Sequence, residues 1–243
     1  MEKSAEIYGI RAVIEAINSK KDIDKVFIQT GLKGKLIGQL ESLIRKNKIN
    51  FSYVPTQKLD RLSKKNHQGV IARISPIKFY DINEFSEIIE KSKIPFILIL
   101  DQISDVRNFG AIIRTAEISG VDGIIIQNSS SAPINSDTVK TSAGAIFNIP
   151  ICKVSHIKDA IYHLQSMDIS IICASEKAEK NIYDVNFKRP VAIVMGSEQK
   201  GINKSVLSLS NEMVKLPMFG KIESLNVSVA CGIFLYEVVR QRI

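Results

Sequence analysis

The fold is set by one segment, Phe96-Ile-Leu-Ile-Leu-Asp-Gln-Ile-Ser-Asp-Val-Arg-Asn-Phe-Gly-Ala-Ile-Ile-Arg-Thr-Ala116. It opens with an unbroken apolar run, which is the pattern of a strand buried on both faces of a sheet. A polar stretch follows, and apolar residues then recur at helical spacing up to Ser119. A buried strand, a polar loop and a helix make the repeating unit of a parallel α/β sheet.

The same alternation continues to the end of the chain. The predicted strands are Phe96–Leu100, Gly123–Ile126, Ile149–Val154, Ser170–Ala174, Val191–Met195 and Met213–Leu216. The predicted helices are Phe109–Ser119, Thr138–Ala145, Ile157–Met167, Lys204–Leu209 and Leu225–Arg240. This pattern predicts an α/β fold, a mostly parallel sheet with helices on both faces. Ligands bind at the carboxyl ends of strands in such sheets, so the loops after Leu100, Met195 and Leu216 form the candidate site.

The amino-terminal part has the pattern of a smaller α/β unit. Helices are predicted at Tyr8–Ile17 and Leu36–Lys46, and strands at Lys25–Gln29, Asn50–Val54 and Val70–Ile74. Ser75–Lys93 carries a proline and a helical segment of mixed charge, which indicates a connector. We therefore expect a first domain over residues 1–76, a linker over 77–93 and a second domain over 94–243.

The 243-residue chain has the composition of a folded protein. With 45% hydrophobic and 24% charged residues, it is unlike disordered chains, collagen and disulfide scaffolds. Its apolar stretches fall short of the roughly 20 residues that a membrane helix needs. Met1–Glu6 lacks the apolar core of a signal peptide. We expect a cytoplasmic protein with no membrane partner.

Basic residues outnumber acidic ones. Lys and Arg total 33 against 25 Asp and Glu, which gives a net charge of +8 and a pI near 9.3. Such a surplus favours a polyanionic partner, most simply nucleic acid, although a solubilising surface would give the same count.

Cysteine and histidine usage indicates no metal site. Cys152, Cys173 and Cys231 are far apart in apolar segments, as expected of buried thiols in a reducing compartment. None of the three histidines has a cysteine or carboxylate at the spacing of metal ligands, so no zinc is expected.

The loop after the first strand is unusually polar. It holds Asp101, Asp105, Arg107 and Asn108, and Arg114 follows within the next helix. Asn108 suits the N-cap of that helix, which would be a structural role. Arg114 sits among apolar and small residues, so it is either paired inside the protein or aimed at a phosphate. The residues alone leave both alternatives open.

The loop after Met195 reads Gly196-Ser-Glu-Gln-Lys-Gly201. It is not a Walker loop, because Gly201 is followed by Ile and Asn, and the chain has no GxGxxG at a strand-to-helix turn. Its glycines would let a ligand approach the backbone closely. Glu198 is either a solvated carboxylate or a functional one.

The third loop is Lys215-Leu-Pro-Met-Phe-Gly-Lys-Ile-Glu-Ser-Leu-Asn226. Ser224 can cap the last helix, whose free N–H groups would suit an acceptor group of a ligand. The apolar stripe of that helix indicates core or a subunit interface rather than a cofactor site. The stripe comprises Leu225, Val229, Gly232, Ile233, Tyr236 and Val239.

Together the three loops resemble the signature motifs of the SpoU family of RNA ribose 2′-O-methyltransferases, in the knotted SPOUT superfamily. The matching segments are Asn108–Ala116, Met195–Gly201 and Leu216–Ala230, in order over about 150 residues. Ile7-Tyr-Gly-Ile-Arg-Ala-Val13 and His67-Gln-Gly-Val70 resemble the small L30e-like substrate-binding domain of the branch that methylates a guanosine of 23S rRNA. The resemblance covers nearly the whole chain.

One position departs from the family pattern. Asp105 is followed by Val106 where the family usually has proline. The change loosens the loop but removes no functional group.

The resemblance implies a deep trefoil knot in the second domain, with S-adenosylmethionine as cofactor. Its contacts would fall at Gly196, Leu216 and Leu225, with Met195 and Met218 as neighbours. The reaction would be attack of a ribose 2′-hydroxyl on the sulfonium methyl, and no metal is required.

Roles for five residues follow from the same resemblance. Arg114 would be the catalytic arginine, acting either on the 2′-hydroxyl proton or as a clamp on the adjacent phosphate. Asn108 would position the ribose or Arg114, and Glu198 would orient the same cluster. Ser224 and Asn226 would bind the target nucleotide.

The implied function is that of a homodimeric 23S rRNA guanosine 2′-O-methyltransferase. The same chemistry on tRNA is an alternative. A second alternative, from a different class, is an RNA-binding or ribosome-assembly module without turnover, which the charge and Val106 would suit.

Overall fold

The computed structural model describes residues 6–221 and 224–243. The chain divides into two compact units, one running to Lys78 with Ile134–Ser136, the other comprising Phe79–Pro133 and Asp137–Ile243. Two interpretations fall partly outside the described residues, namely the charge pattern of Met1–Glu6 and the middle of the third motif at 222–223. No helix in the described part of the chain is both long and apolar enough to traverse a bilayer.

The first unit is built on a four-stranded sheet. Its strands are β1 Glu6–Tyr8, β2 Ile23–Gln29, β3 Phe51–Val54 and β4 Val70–Ile74. Its helices are α1 Ile10–Asn18, α2 Lys35–Lys46 and α3 Thr56–Leu62. The strand order is β1-β4-β2-β3, in which β4 runs antiparallel to both neighbours and β2 and β3 are parallel.

The two faces of this sheet have separate cores, because successive strand residues point to opposite sides. Val26 and Ile28 belong to the core that α1 and α2 cover. Phe27 and Ile71 belong to a smaller core with Leu59 of α3. Helices therefore cover both faces.

The second unit contains seven strands. They are β5 Phe96–Asp101, β6 Gly123–Gln127, β7 Ile151–Val154, β8 Ser170–Ala174, β9 Lys180–Asn181, β10 Val191–Gly196 and β11 Glu212–Lys215. The helices are α4 Ile82–Ile89, α5 Val106–Ile118, α6 Ser136–Thr141, α7 Ile157–Ser166, α8 Lys204–Leu207 and α9 Val227–Arg242. Two short 3₁₀ helices lie at Ala145–Phe147 and Ile182–Asp184.

The strands form one parallel sheet in the order β7-β6-β5-β10-β8-β11-β9. One face is packed by α4, α7 and α8, whose apolar residues share a core with Ile97, Ile99 and Val194. Helices α5 and α9 pack against each other, and α9 also contacts β10. The predicted parallel sheet with helices on both faces is confirmed, whereas the knot stays a prediction.

The carboxyl end of the chain is tied to the start of the sheet. The Arg242 guanidinium donates from Nη1 to the Ile94 carbonyl at 2.8 Å, from Nη2 to the Arg189 carbonyl at 2.7 Å and from Nε to the Phe187 carbonyl at 3.0 Å. Burial lowers the pKa of this guanidinium from its usual value. Arg242 therefore joins three separate segments of the second unit.

The predicted linker over 77–93 is wrong for most of its length. Asp81 caps helix α4 in a reciprocal capping box with Glu84, and Phe85 and Ile89 are fully buried. A Cβ at Gly123 would lie 2.3 Å from the Phe85 ring, so the glycine makes room for that ring. The segment belongs to the second unit.

Other boundaries differ by a few residues, and four short elements were not predicted. The helix expected over Thr138–Ala145 ends at Thr141, because Ala143 and Gly144 adopt left-handed φ values of 50° and 85°. The unpredicted elements are β1, α3, β9 and the 3₁₀ helix Ile182–Asp184, which have between two and seven residues each.

Candidate functional site

Three segments of the candidate site follow the carboxyl ends of β5, β10 and β11. β5 and β10 are neighbours in the sheet, and Gly196 pairs with Asp101 where both strands end, whereas β8 lies between β10 and β11. The loop after β5 leads into α5, the loop after β10 leads into α8, and the chain after β11 leads into α9. Side chains from these three segments contact one another.

Asn108, Glu198 and Asn226 form one hydrogen-bonded cluster. Glu198 Oε1 accepts from Asn108 Nδ2 at 2.8 Å and from Asn226 Nδ2 at 3.0 Å. Asn226 Nδ2 also donates to Asn108 Oδ1 at 3.0 Å. Asn108 lies in the first turn of α5, Glu198 in the loop after β10 and Asn226 at the start of α9, so the cluster joins all three segments. Glu198 is not the isolated turn carboxylate that its loop alone would suggest.

The helix caps differ from those predicted. Asp105, not Asn108, caps α5, since its Oδ1 accepts from the backbone N–H groups of Arg107 and Asn108 at 2.9 and 2.8 Å. Asn226, not Ser224, caps α9 by accepting from the Ser228 N–H at 2.9 Å. Both helices therefore begin at another residue than expected, and the Asn108 side chain is left for the cluster.

The glycines of the second loop fold the loop onto itself. A Cβ at Gly196 would lie 2.2 Å from the carbonyl carbon of Gly201. Gly201 has φ +64°, and its N–H donates to the Ser197 carbonyl at 2.8 Å. The loop is also held from below, where buried Asp101 accepts the Asn203 N–H at 2.7 Å. The absence of a side chain at Gly196 thus lets the backbone of Gly201 approach it closely, before any ligand does.

A cavity of about 370 Å³ lies beside this loop. It is lined by all three residues expected to contact a cofactor, Gly196, Leu216 and Leu225. Its other apolar walls include Met195, Met218, Val227, Ala230 and Phe234. Ser224 lines the same cavity. Apolar walls beside strand-end backbone groups suit a flat heterocycle, and the volume is in the range of small-molecule sites.

A second, more polar cavity of about 710 Å³ shares the 197–200 loop with the first. Its charged lining residues are Asp105, Arg107, Glu198 and Lys200. The two carboxylates accept hydrogen bonds from the protein, whereas the side chains of Arg107 and Lys200 form no hydrogen bond or ion pair with any described residue. Sequence reasoning named Arg107 without a role and gave none to Lys200, because only the fold brings the two to one cavity.

Arg114 lies apart from the cluster within one chain. It is exposed on α5, lines neither cavity and pairs with no described residue. Internal pairing, one of the two alternatives for this arginine, is therefore wrong.

Nothing among the described residues indicates a metal or a thiol nucleophile. No group of three or more His, Cys, Asp or Glu side chains is placed to hold a metal ion in the described ranges. Burial raises the pKa of Cys152, Cys173 and Cys231 to about 12, so these thiols are neutral at physiological pH.

Two family models match the chain. The SpoU rRNA Methylase family matches residues 95–236, and the RNA 2′-O ribose methyltransferase substrate-binding model matches residues 7–80. These ranges contain the three loops and the first unit's sheet.

Named relatives are similar over nearly the whole chain. A putative TrmH family tRNA/rRNA methyltransferase, YacO of Bacillus subtilis, is 34% identical over 97% of this chain and 95% of its own. The 23S rRNA (guanosine-2′-O-)-methyltransferase RlmB of Vibrio vulnificus is 34% identical over 98% of this chain and 97% of its own.

Solved structures share the fold. The SpoU methyltransferase AviRb of Streptomyces viridochromogenes, in complex with the cofactor AdoMet, aligns with a TM-score of 0.63 at 21% identity, over 98% of this chain and 89% of its own. The A. aeolicus TrmH/SpoU tRNA modifying enzyme aligns with a TM-score of 0.57 at 29% identity, over 66% of this chain and 82% of its own.

Proposed function

The chain belongs to the SpoU family of S-adenosylmethionine-dependent RNA ribose 2′-O-methyltransferases, and we propose that its substrate is a guanosine of 23S rRNA. The observation that supports methyl transfer by this chain is the cluster of Asn108, Glu198 and Asn226 beside two cavities, and similarity to the Vibrio enzyme supports the choice of RNA. One cavity suits a cofactor and the other a nucleotide, and Glu198 lines both.

The 370 Å³ cavity would hold S-adenosylmethionine. Gly196 and Leu216 supply backbone groups at strand ends, Leu225 supplies them just before α9, and Met195 and Met218 supply apolar walls. When bound, the cofactor supplies an activated methyl group. The folded 196–201 loop forms a fixed wall, because Gly196 and Gly201 are in contact.

The cluster would orient the target ribose. Glu198 Oε1 accepts from the side-chain amides of Asn108 and Asn226 and from the Val227 N–H, whereas its Oε2 makes no hydrogen bond with the described residues, so Oε2 is available to a hydroxyl or N–H of the RNA. Asn108 would help position the ribose. Asn226 holds both partners, and with exposed Ser224 it would border the target nucleotide.

Of the two arginines on α5, Arg107 would contact phosphate and Arg114 would act on the ribose 2′-hydroxyl. Arg107 and Lys200 line the polar cavity with free side chains and would clamp the phosphates beside the target ribose. Arg114 would then act on the 2′-hydroxyl or its proton. An arginine stays protonated in proteins, so stabilising charge on the attacking oxygen suits it better than accepting a proton.

The protein would act as a homodimer. Val229, Ile233 and Tyr236 on α9 are 53%, 37% and 51% exposed, and Ile118 at the end of the adjacent α5 is 61% exposed. Apolar residues grouped on neighbouring helices mark an interaction surface. This stripe is not core within one chain, which favours the second of the two alternatives, a subunit interface. A second copy there would also surround Arg114.

The first unit would bind the RNA. We assign this role to residues 1–76, most of which lie within the range 7–80 that the substrate-binding model matches. Similarity to the Vibrio enzyme favours 23S rRNA, and similarity to TrmH-type relatives keeps tRNA as the alternative. A module without turnover is disfavoured by the complete cluster. The site of action would be the cytoplasm, where these RNAs are modified.

The test is methylation of defined RNA. The protein is mixed with methyl-labelled S-adenosylmethionine and unmodified 23S rRNA or tRNA transcripts, and the RNA is digested with alkali, which does not cleave beside a 2′-O-methyl group. Label in an alkali-resistant dinucleotide from 23S rRNA that contains guanosine is expected. Label on tRNA alone would overturn the proposed substrate. Cofactor binding without labelling of any RNA, free or in ribosomes, would contradict the proposal that the protein catalyses methyl transfer.

A further inference from the structure

The positive charge of this protein is concentrated in its first unit. Residues 1–78 hold 16 of the 33 Lys and Arg but only 7 of the 25 Asp and Glu, which is a net charge of +9. The remaining residues therefore carry −1 in total. The part of the chain with the cofactor cavity has no net positive charge, so the long-range attraction of a polyanion comes mainly from the first unit, while Arg107 and Lys200 can act only locally.

One face of the first unit's sheet gathers free cations. Helix α3 lies on this face through Leu59, which is fully buried, and exposes Lys58 and Arg61. Lys65, beyond the helix, places its Nζ 5.1 Å from the centre of the Tyr8 ring. We name this surface the α3 face. It comprises Lys25, Lys58, Arg61, Lys64, Lys65 and Arg73.

Two of these cations stand side by side across strands. Lys25 of β2 and Arg73 of β4 are direct antiparallel partners, and such like-charge pairs destabilise a sheet. Lys25 Nζ and Arg73 Cζ each lie 5.5 Å from the centre of the Phe27 ring between them, and neither has an ion pair with a described residue. A bound anion would relieve their repulsion.

The acidic residues of the same elements are fewer than the cations of the α3 face. They are Asp60 of α3, which bonds to His67 Nε2 at 3.0 Å, Glu6 of β1, which accepts the Tyr8 hydroxyl at 2.9 Å, and buried Asp24 of β2. Three carboxylates against the six cations named above leave this surface with a net positive charge.

From these observations we infer that the α3 face binds the phosphate backbone of the substrate RNA at nucleotides away from the one that is methylated. The inference rests on the proposed RNA substrate and adds the surface that holds it. Spaced cations without base-reading amides suit backbone contacts, which give affinity and register rather than sequence choice. The opposite face, covered by α1 and α2, would stay free.

The test compares two triple variants with the same loss of charge. Lys25→Thr/Lys58→Ala/Arg61→Ala removes three cations of the α3 face, and Lys35→Ala/Arg45→Ala/Lys46→Ala removes three exposed cations from α2. Binding of a full-length 23S rRNA transcript is measured between 50 and 200 mM salt. Cofactor affinity and melting temperature are measured separately.

We expect the α3-face variant to lose about tenfold to a hundredfold in RNA affinity, with the salt slope reduced by about 0.7–0.9 for each lost phosphate contact. The control variant should keep more of its RNA affinity and more of its salt dependence. Cofactor affinity should be unchanged in both, and Lys25→Thr alone should not lower the melting temperature, because it removes a like-charge pair.

Equal losses in the two variants would overturn the inference and leave the proposed function intact. Loss of RNA binding confined to the α3-face variant, in a protein that methylates no RNA, would support the surface and overturn the function. Competition by poly-L-glutamate as strong as that by RNA, at equal charge, would mark a general anion surface and also overturn the inference.

Discussion

Asn108 Nδ2 lies 2.8 Å from Glu198 Oε1, although 90 residues separate the two in sequence. The bond links the first turn of α5 to the loop after β10, and Asn226 closes it by bonding to both residues. One carboxylate oxygen of Glu198 is thereby used for structure, and the other, which makes no hydrogen bond with the described residues, is the one that we propose for the RNA.

Replacing Glu198 with Gln tests that division. The amide can keep one acceptor but loses the charge, so we expect kcat/KM to fall by roughly 10²–10³, as for loss of one preorganised polar group. Methyl transfer to RNA and melting temperature would be measured together. Glu179→Gln, which changes an exposed carboxylate outside both cavities, is the matched control. Full activity in Glu198→Gln would contradict the role given to its charge.

Alanine substitutions at Arg114 and Arg107 should change different kinetic constants. Both are exposed, so either alanine variant should keep its stability within about 0.5 kcal/mol. We expect Arg114→Ala to lower kcat and Arg107→Ala mainly to raise KM for RNA, because a phosphate contact made in both ground and transition states changes binding alone. Steady-state kinetics with varied RNA give both constants. The reverse pattern would exchange the two assignments.

Gly196→Ala should disrupt the cofactor cavity. The new Cβ would collide with the Gly201 backbone at 2.2 Å, and we expect a cost of about 1–3 kcal/mol together with at least tenfold weaker cofactor binding. Calorimetric titration and urea unfolding measure the two effects. Gly38→Ala, in an open position on α2, is the control and should stabilise by about 0.5–1 kcal/mol. Unchanged cofactor binding in Gly196→Ala would contradict the proposal that the folded 196–201 loop forms a wall of the cofactor cavity.

Cys231 should make stability fall at alkaline pH. Its folded pKa is raised to about 12 by burial, whereas an unfolded thiol titrates near 8.5. Its contribution is complete below the unfolded value and is lost as pH rises toward 12, at about 1.4 kcal/mol per pH unit. Urea unfolding of the protein and of Cys231→Ala at several pH values should show a shallower alkaline slope in the variant. If the free energy of unfolding fell equally steeply with pH in both proteins, the pKa of the Cys231 thiol would not be raised by burial.

Ile233→Asp should separate the proposed dimer. A charge on the exposed apolar stripe of α9 would oppose association without entering the core. Sedimentation should give a monomer, and methyl transfer should fall with it. The exposed substitution Lys204→Ala, on α8, is the control. An active monomer would disprove the need for a second copy.

The sequence predicted those helices and strands whose hydrophobic periodicity is strong. It missed those whose position depends on contacts with distant parts of the chain. The apolar strands Phe96–Leu100 and Val191–Met195 were predicted to within a residue of their ends. Helix α4 was mistaken for a linker because its mixed charge hides that Phe85 fills the space left by Gly123. Helix α3 has a single buried leucine in seven residues, too little for a periodic signal.

The members of the cluster were named from the sequence, but their bonds were not. Asp105 and Asn108 are both good capping residues, and local sequence cannot choose between them. The same holds for Ser224 and Asn226. Arg107 and Lys200 share a cavity only because β5 and β10 are neighbours, which is a fact of topology rather than of motif.

The bonds of Arg242 have a consequence for the order in which the chain can fold during its synthesis. Its guanidinium holds the carbonyls of Ile94, Phe187 and Arg189, so these three segments are joined only once Arg242 has been added. Asn226, which completes the cluster, is also added long after the first unit, which ends at Lys78. Because domains fold as units from the amino-terminal side, the first unit can fold before the residues of the cluster can come together.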